Sequence, residues 1–336
     1  MGGIETSVTL PQGQAAQPFI LEGLTCEHYR IPTRFSAENW FEYDIVGELC
    51  WTGQLSEKTL QILIAGAGYG AVYWDFPYQP DTYSYKRAAL REGYATFNYY
   101  RTGTGASDHP FGMLVNVENQ VQVLAQIIQF LQTEKSIGSI VTVGHSLGSV
   151  ISLAHASEYS GQLSGIILTG FLHNSNPAFN QAMRSGTDLA PFTSDFSGHI
   201  VDPVYMVSKS NTRKDIFYNL GNTDPLVPVV DELNRQTLTV AEIISMLKYF
   251  SMSAAAIQVP VLIVTGEEDF VVCGGELECG DHQRVEEHEQ QFFSASACVK
   301  TRMIANAGHN INLHKNAQAT YQILFEWLKA PPCMVD

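Results

Sequence analysis

Residues 141–150 read Val-Thr-Val-Gly-His-Ser-Leu-Gly-Ser-Val. The β-branched run at 139–143 reads as a buried strand, and Val150, Leu153 and Ala154 follow at helical spacing. The pattern is strand, sharp turn and helix, with Ser146 at the apex. Gly144 and Gly148 fit a turn too tight for side chains two positions either side of the serine. The hydroxyl is then lifted clear of the strand, at a helix N-terminus that favours negative charge. His145 lies inside the motif, but neighbours on such a turn point apart, so it reads as a packing or pocket-wall residue. A serine hydroxyl is a poor nucleophile and needs a base, itself oriented by a carboxylate. Two further strand ends offer them. Asp269 closes Thr265-Gly266-Glu267-Glu268-Asp269 after the apolar run 259–264, and His309 lies in Ala307-Gly308-His309-Asn310 after the run 299–305. Glu267 and Glu268 are alternative acids, and His314 is a weaker alternative base.

These residues need a scaffold that brings strand ends together. Apolar runs at 60–65, 94–100, 139–143, 164–169, 259–264 and 299–305 read as strands. Between them come helical patterns at 84–92 and 321–328, and a longer one marked by Val117, Val121, Leu124, Ile128 and Leu131. Alternating strand and helix predicts an α/β fold: a mostly parallel, doubly wound sheet of about eight strands with helices on both faces. Residues 19–33 and 40–51 read as an antiparallel edge hairpin, and 1–17 as a flexible tail. From 174 to 257 the rhythm breaks, which predicts an inserted, mainly helical cap between core segments 18–173 and 258–330. In an open parallel sheet, Ser146, Asp269 and His309 would all face one crevice.

The chain has 336 residues, 45% hydrophobic and 16% charged, with a formal charge of −15. Such acidity argues against nucleic acid and anionic membranes as partners. No run is long and apolar enough to span a bilayer, and the N-terminal residues lack a signal-peptide pattern. A small-molecule substrate is the partner expected; the sequence leaves oligomeric state open. The six cysteines, at 26, 50, 273, 279, 298 and 333, show no zinc or Cys-x-x-Cys spacing. Cys273 and Cys279 bracket a loop that could close as a disulfide. Without that bridge the expectation is a cytoplasmic protein; with it, a secreted one is open.

The Val143-Gly144-His145-Ser146-Leu147-Gly148 turn, the Pro260–Asp269 segment and Ala307-Gly308-His309-Asn310, in the order Ser, Asp, His, together resemble the α/β-hydrolase superfamily from about residue 40 to 330. Residues 73–77 and 101–105 also sit where such enzymes have similar segments. The resemblance implies Ser146 as nucleophile, His309 as base and Asp269 as acid. It implies an oxyanion hole built from the N–H of Leu147 and one from the loop 65–70, Ala67 first and Gly68 second. Gly66, Gly68, Tyr69, His145, Phe179 and Met183 are candidate pocket residues. No cofactor or metal is implied. Two positions depart from the family pattern: Ala65 stands where its loop has histidine, and Tyr100 where an acid precedes the arginine, leaving Arg101 without its usual ionic partner. The leading reading is a serine hydrolase of an ester, lactone or thioester of a small apolar molecule. The alternative is a non-hydrolytic enzyme on the same scaffold (a cyclase, lyase or acyltransferase of specialised metabolism). A ligand-binding protein is disfavoured by the three retained groups.

Overall fold

The computed structural model describes residues 8–331 except 37, 39 and 160. Its main sheet has eight strands: β1 (Leu24–Thr33), β2 (Tyr43–Thr52), β3 (Thr59–Ile64), β4 (Ala95–Tyr99), β5 (Ser139–His145), β6 (Gly165–Thr169), and two that come after an insertion. That insertion holds three short strands, β7 (Thr187–Leu189), β8 (Tyr205–Ser208) and β9 (Leu238–Thr239). The main sheet resumes with β10 (Val261–Gly266) and β11 (Lys300–Ile304), in the spatial order β1-β2-β4-β3-β5-β6-β10-β11. β1 and β2 form an antiparallel edge hairpin, and the strands from β4 to β11 are mutually parallel. The alternation of side chains along each strand divides the core in two. Ile62, Ile140, Ile166, Leu168 and Ile263 point to one face. Leu63, Val141, Val143, Ile167, Leu262 and Val264 point to the other.

Helices cover both faces. The short helices α1 (Pro80–Tyr83) and α2 (Tyr85–Arg91) precede α3 (Val117–Lys135) and α4 (Leu147–Glu158). α3 buries Val121, Leu124, Ile128 and Leu131, the stripe read from the sequence, against the first face beside Val150 and Leu153 of α4. Ser84 caps α2 by accepting the N–H of Arg87, and Asn116 caps α3 by accepting that of Asn119.

Between β6 and β10 run α5 (Pro177–Ser185), α6 (Arg213–Phe217), α7 (Val227–Leu233) and α8 (Val240–Met246). The strands β7, β8 and β9 make a separate antiparallel sheet within this stretch. Ala190, Ile200, Tyr205 and Val207 give it a small core, joined by Val115 of the main body. The last helices are α9 (His282–Gln290) and α10 (Ala317–Lys329), the latter packing Tyr321, Leu324 and Phe325 on the second face.

Of the tail expected at 1–17, residues 1–7 lie outside the described residues. Thr9 donates its N–H to Asn234 Oδ1 and accepts from Asn234 Nδ2, and Leu10 packs on the core. Cys26 and Cys50, register partners across the β1–β2 hairpin, are disulfide-bonded. The bridge Cys273–Cys279 closes the loop after β10. Among the described residues, no helix is long and apolar enough to cross a membrane.

Candidate active site

The C-terminal ends of β3, β4, β5, β10 and β11 open on one side of the sheet. Ser146 follows β5 directly and has φ 53° and ψ −116°, a backbone conformation an L-residue adopts only under strain. Two glycines make the turn possible. A Cβ on Gly144 would stand 2.4 Å from Gly148 O, and one on Gly148 would stand 2.0 Å from Ile64 O. The turn is then tied to β6: Ser146 N–H and Ser149 Oγ both donate to Thr169 O, and Thr169 Oγ1 donates to Gly144 O. Ser146 is half-buried and lines a cavity with Ala67, Leu147 and His309.

His309 is almost fully buried, and its Nδ1 lies 2.8 Å from Asp269 Oδ2. The other oxygen, Oδ1, accepts the N–H groups of Val271 (2.9 Å) and Val272 (3.3 Å). This carboxylate is thus held on both sides. Glu267 and Glu268 do not compete for the ring. Glu267 pairs with exposed His282, and Glu268 accepts from Asn219 Nδ2. His314 is committed elsewhere too. Its Nε2 accepts the N–H groups of Gly308 (3.1 Å) and Asn219 (3.0 Å), and its Nδ1 donates to Asn310 O. Burial pushes its imidazole down to about 4, so the ring stays neutral and shapes the loop that presents His309.

His145 stands behind His309 rather than in the cavity wall. Its ring stacks on Tyr73 (centroids 4.3 Å apart), lies 4.7 Å from the His309 ring, and Nδ1 reaches Thr169 Oγ1 at 3.2 Å. Burial, with His309 adding to it, holds this imidazole neutral, well below its ordinary range. Gly170 lets the two histidines close up, since a Cβ there would stand 2.9 Å from His145 and 3.0 Å from His309. Of the other pocket candidates, Gly68, Tyr69, Phe179 and Met183 line the cavity. Gly66 lies beneath it, its Cβ position 3.1 Å from Ser146 Cβ.

Phe217, Met246 and Phe250, apolar residues of the segment whose sequence could wall a pocket, line the cavity too, and Val150, Phe171, Ile216, Leu238, Ile243, Val271 and Val272, which sequence reasoning did not assign to the site, complete the walls. Many come from the 174–257 segment. The empty volume, mouth included, is about 840 Å³. Also missed were the buried charges around it. Arg101 finds an acid after all, in Glu242 of α8, and both side chains are almost fully buried. Arg213 pairs with Asp231 at 2.8 Å. Arginine followed by small residues after β4 signals the first pair only from one side, because Glu242 lies 141 positions away.

A mostly parallel eight-stranded sheet with a strained serine turn after β5 and an Asp–His pair after β10 and β11 defines an α/β-hydrolase. The family described as serine aminopeptidase, S33, matches residues 86–312, and the chain belongs to it. No curated protein matches it in sequence. Among solved structures, it is similar to a thermophilic esterase from Thermogutta terrifontis (malate bound), with 17% identity and TM-score 0.59 over 90% of this chain and 98% of that one. The monoacylglycerol lipase of Paleococcus ferrophilus has 16% identity and TM-score 0.57 over 86% and 98%. The enol-lactonase of Burkholderia xenovorans LB400 has 13% identity and TM-score 0.58 over 85% and 97%. At these identities the likeness speaks to the fold.

Proposed function

We propose that this protein is a serine hydrolase that cleaves an ester, lactone or thioester of a small apolar molecule through an acyl-enzyme. The observation that carries the reading is the Asp269–His309 contact beside a cavity that His309 shares with the strained Ser146. In this reading the His309 ring takes the Ser146 proton as Oγ attacks the acyl carbon. Asp269 holds the proton on Nδ1, so Nε2 is the accepting nitrogen, and stabilises the imidazolium that forms. The developing oxyanion is met by backbone N–H groups. Leu147 is the first residue of α4, so its N–H has no acceptor within that helix, and Ala67 faces the same cavity. The imidazolium returns its proton to the leaving group, which departs. Water then repeats the sequence on the acyl-enzyme and releases the acid.

Substrate class follows from the walls. Among the described residues lining the cavity there is no carboxylate, and the one charged side chain, Arg213, is already paired with Asp231. A substrate with a free ammonium group would be desolvated there without a partner, at a cost of several kcal/mol. This favours a neutral apolar acyl or alkyl group over the free amino terminus that an aminopeptidase reads. The 174–257 segment acts in this reading as the cap that sets acyl-group size. The test is turnover of p-nitrophenyl esters of increasing chain length beside amino-acid p-nitroanilides. The reading expects Ser146-dependent ester cleavage with little anilide cleavage; efficient anilide cleavage would overturn the substrate class. The bridges Cys26–Cys50 and Cys273–Cys279 support an oxidising compartment. Finding those four cysteines free by thiol labelling of protein from its native source would reject that placement.

A further inference from the structure

Three carbonyls of the loop 65–70 are received by two buried arginines. Arg101 Nε donates to Ala65 O at 2.9 Å, and Arg101 Nη2 donates to Gly66 O at 3.0 Å. Arg213 Nη1 donates to Gly68 O at 3.1 Å. A trans peptide places its N–H opposite its C=O. Fixing Gly66 O on Arg101 therefore fixes the direction of the Ala67 N–H, on the side away from the arginine.

Each guanidinium is balanced by an acid from the inserted segment. Glu242 on α8 takes Arg101 Nη1 and Gln120 Nε2 on one oxygen and the Thr239 N–H on the other. Asp231 on α7 takes Nε and Nη2 of Arg213, and also the hydroxyl of Tyr218. Neither acid belongs to the eight-stranded core. An unpaired arginine at these depths would be costly, so each carboxylate is what lets its arginine stay against the loop.

We infer that the inserted segment locks the oxyanion loop, with Arg101 and Arg213 as positioning residues and Glu242 and Asp231 as their anchors. This rests on the hydrolase reading above. The segment then has two tasks, shaping the pocket and aiming the Ala67 N–H. It cannot swing clear of the sheet without breaking the buried Arg101–Glu242 ion pair and the hydrogen bond from Arg213, itself on the segment, to Gly68 O, so substrate enters past side chains rather than by wholesale opening. The departure at Tyr100 is compensated across space, because the anion that pairs Arg101 comes from α8.

The test compares Arg101→Lys, Glu242→Gln and Arg213→Lys with wild type on a p-nitrophenyl ester, reading kcat, KM and melting temperature. Lysine keeps a charge opposite the acid, but at 101 it cannot span the two carbonyls of Ala65 and Gly66, and at 213 it cannot hold Gly68 O together with both oxygens of Asp231, as the guanidinium fork does. Leu131→Ala, remote on α3, supplies a destabilised comparison whose kcat should stay within twofold. The lock predicts that kcat falls about 10- to 100-fold in Arg101→Lys and Glu242→Gln, within the range for a misdirected oxyanion donor, while KM stays within threefold. Affinity for a trifluoromethyl ketone, which binds as the tetrahedral oxyanion, should fall in parallel; affinity for the carboxylate product should not. Arg213→Lys gives an independent reading through Gly68 should Arg101→Lys not fold. If wild type turns over through Ser146 but these variants keep kcat within threefold, the lock is wrong and the hydrolase reading stands. If wild type shows neither turnover nor covalent labelling of Ser146, the hydrolase reading has failed and the inference falls with it.

Discussion

Replacing Asp269 with asparagine separates the orientation of His309 from its mere presence. The carboxylate accepts from three directions: Val271 and Val272 N–H on Oδ1, and the His309 ring on Oδ2. An asparagine has only one oxygen. The backbone donors are fixed and cannot become acceptors, whereas an imidazole can exchange tautomers. The amide oxygen therefore faces Val271 and Val272, and the NH2 group faces His309 Nδ1. That nitrogen must then accept, and the ring proton moves to Nε2, the nitrogen needed to take the serine proton. Tautomer loss of this kind costs about 10⁴ in kcat, or about 5 kcal/mol of barrier. The carboxylate's hydrogen bonds to the two backbone N–H groups survive as neutral ones, so the fold persists with a lowered melting temperature. The assay is kcat and KM on a p-nitrophenyl ester, with circular dichroism as the check on folding. A folded Asp269→Asn protein retaining more than a tenth of wild-type kcat would refute the assignment of acid and base together.

Gly148→Ala should reverse the usual helix trend. Alanine ordinarily stabilises a helix by up to about 1 kcal/mol over glycine, but here its Cβ would stand 2.0 Å from Ile64 O. The shift required of β3 or α4 should cost about 1–3 kcal/mol, read by urea unfolding; a neutral or stabilising result counts against the close strand-to-helix approach. Stability should also fall as pH drops below about 6.5, the range for a histidine in the unfolded chain. Burial holds His314 at about 4 in the folded protein, so between these values the unfolded state binds the proton and the folded state does not. By pH 5 this removes about 2 kcal/mol. His314→Gln should flatten the slope of unfolding free energy against pH by about one proton, and an unchanged slope would show that His314 is not held neutral.

What the sequence made legible was local. The run from β5 through Ser146 into α4 is contiguous, and its two glycines announce a turn that no larger residue fits. The stripe on α3 has a period that only a helix satisfies. The Asp269 and His309 segments each end an apolar run, which places them at strand ends without any knowledge of neighbours. The pairs that escaped reading are long-range. Nothing near Glu242 marks it as the partner of Arg101, since it reads equally well as the third residue of a capping box, a role it also fills. The bridge Cys26–Cys50 depends on hairpin register, which the flanking residues did not fix. The strands β7, β8 and β9 have three, four and two residues, too short for alternation to declare itself. His145, beside the nucleophile, was legible as a residue pointing away from it but not as packing rather than pocket wall, because its stacking partner Tyr73 is distant in sequence.

The most direct test of the central claim is covalent labelling of Ser146. Folded protein is treated with a fluorophosphonate, digested, and the modified peptide is identified by mass spectrometry. The account predicts one adduct, on Ser146, with labelling abolished in Ser146→Ala and slowed by several orders of magnitude in His309→Ala. An adduct that persists in Ser146→Ala, or a folded wild-type protein that takes no label at all, would contradict it.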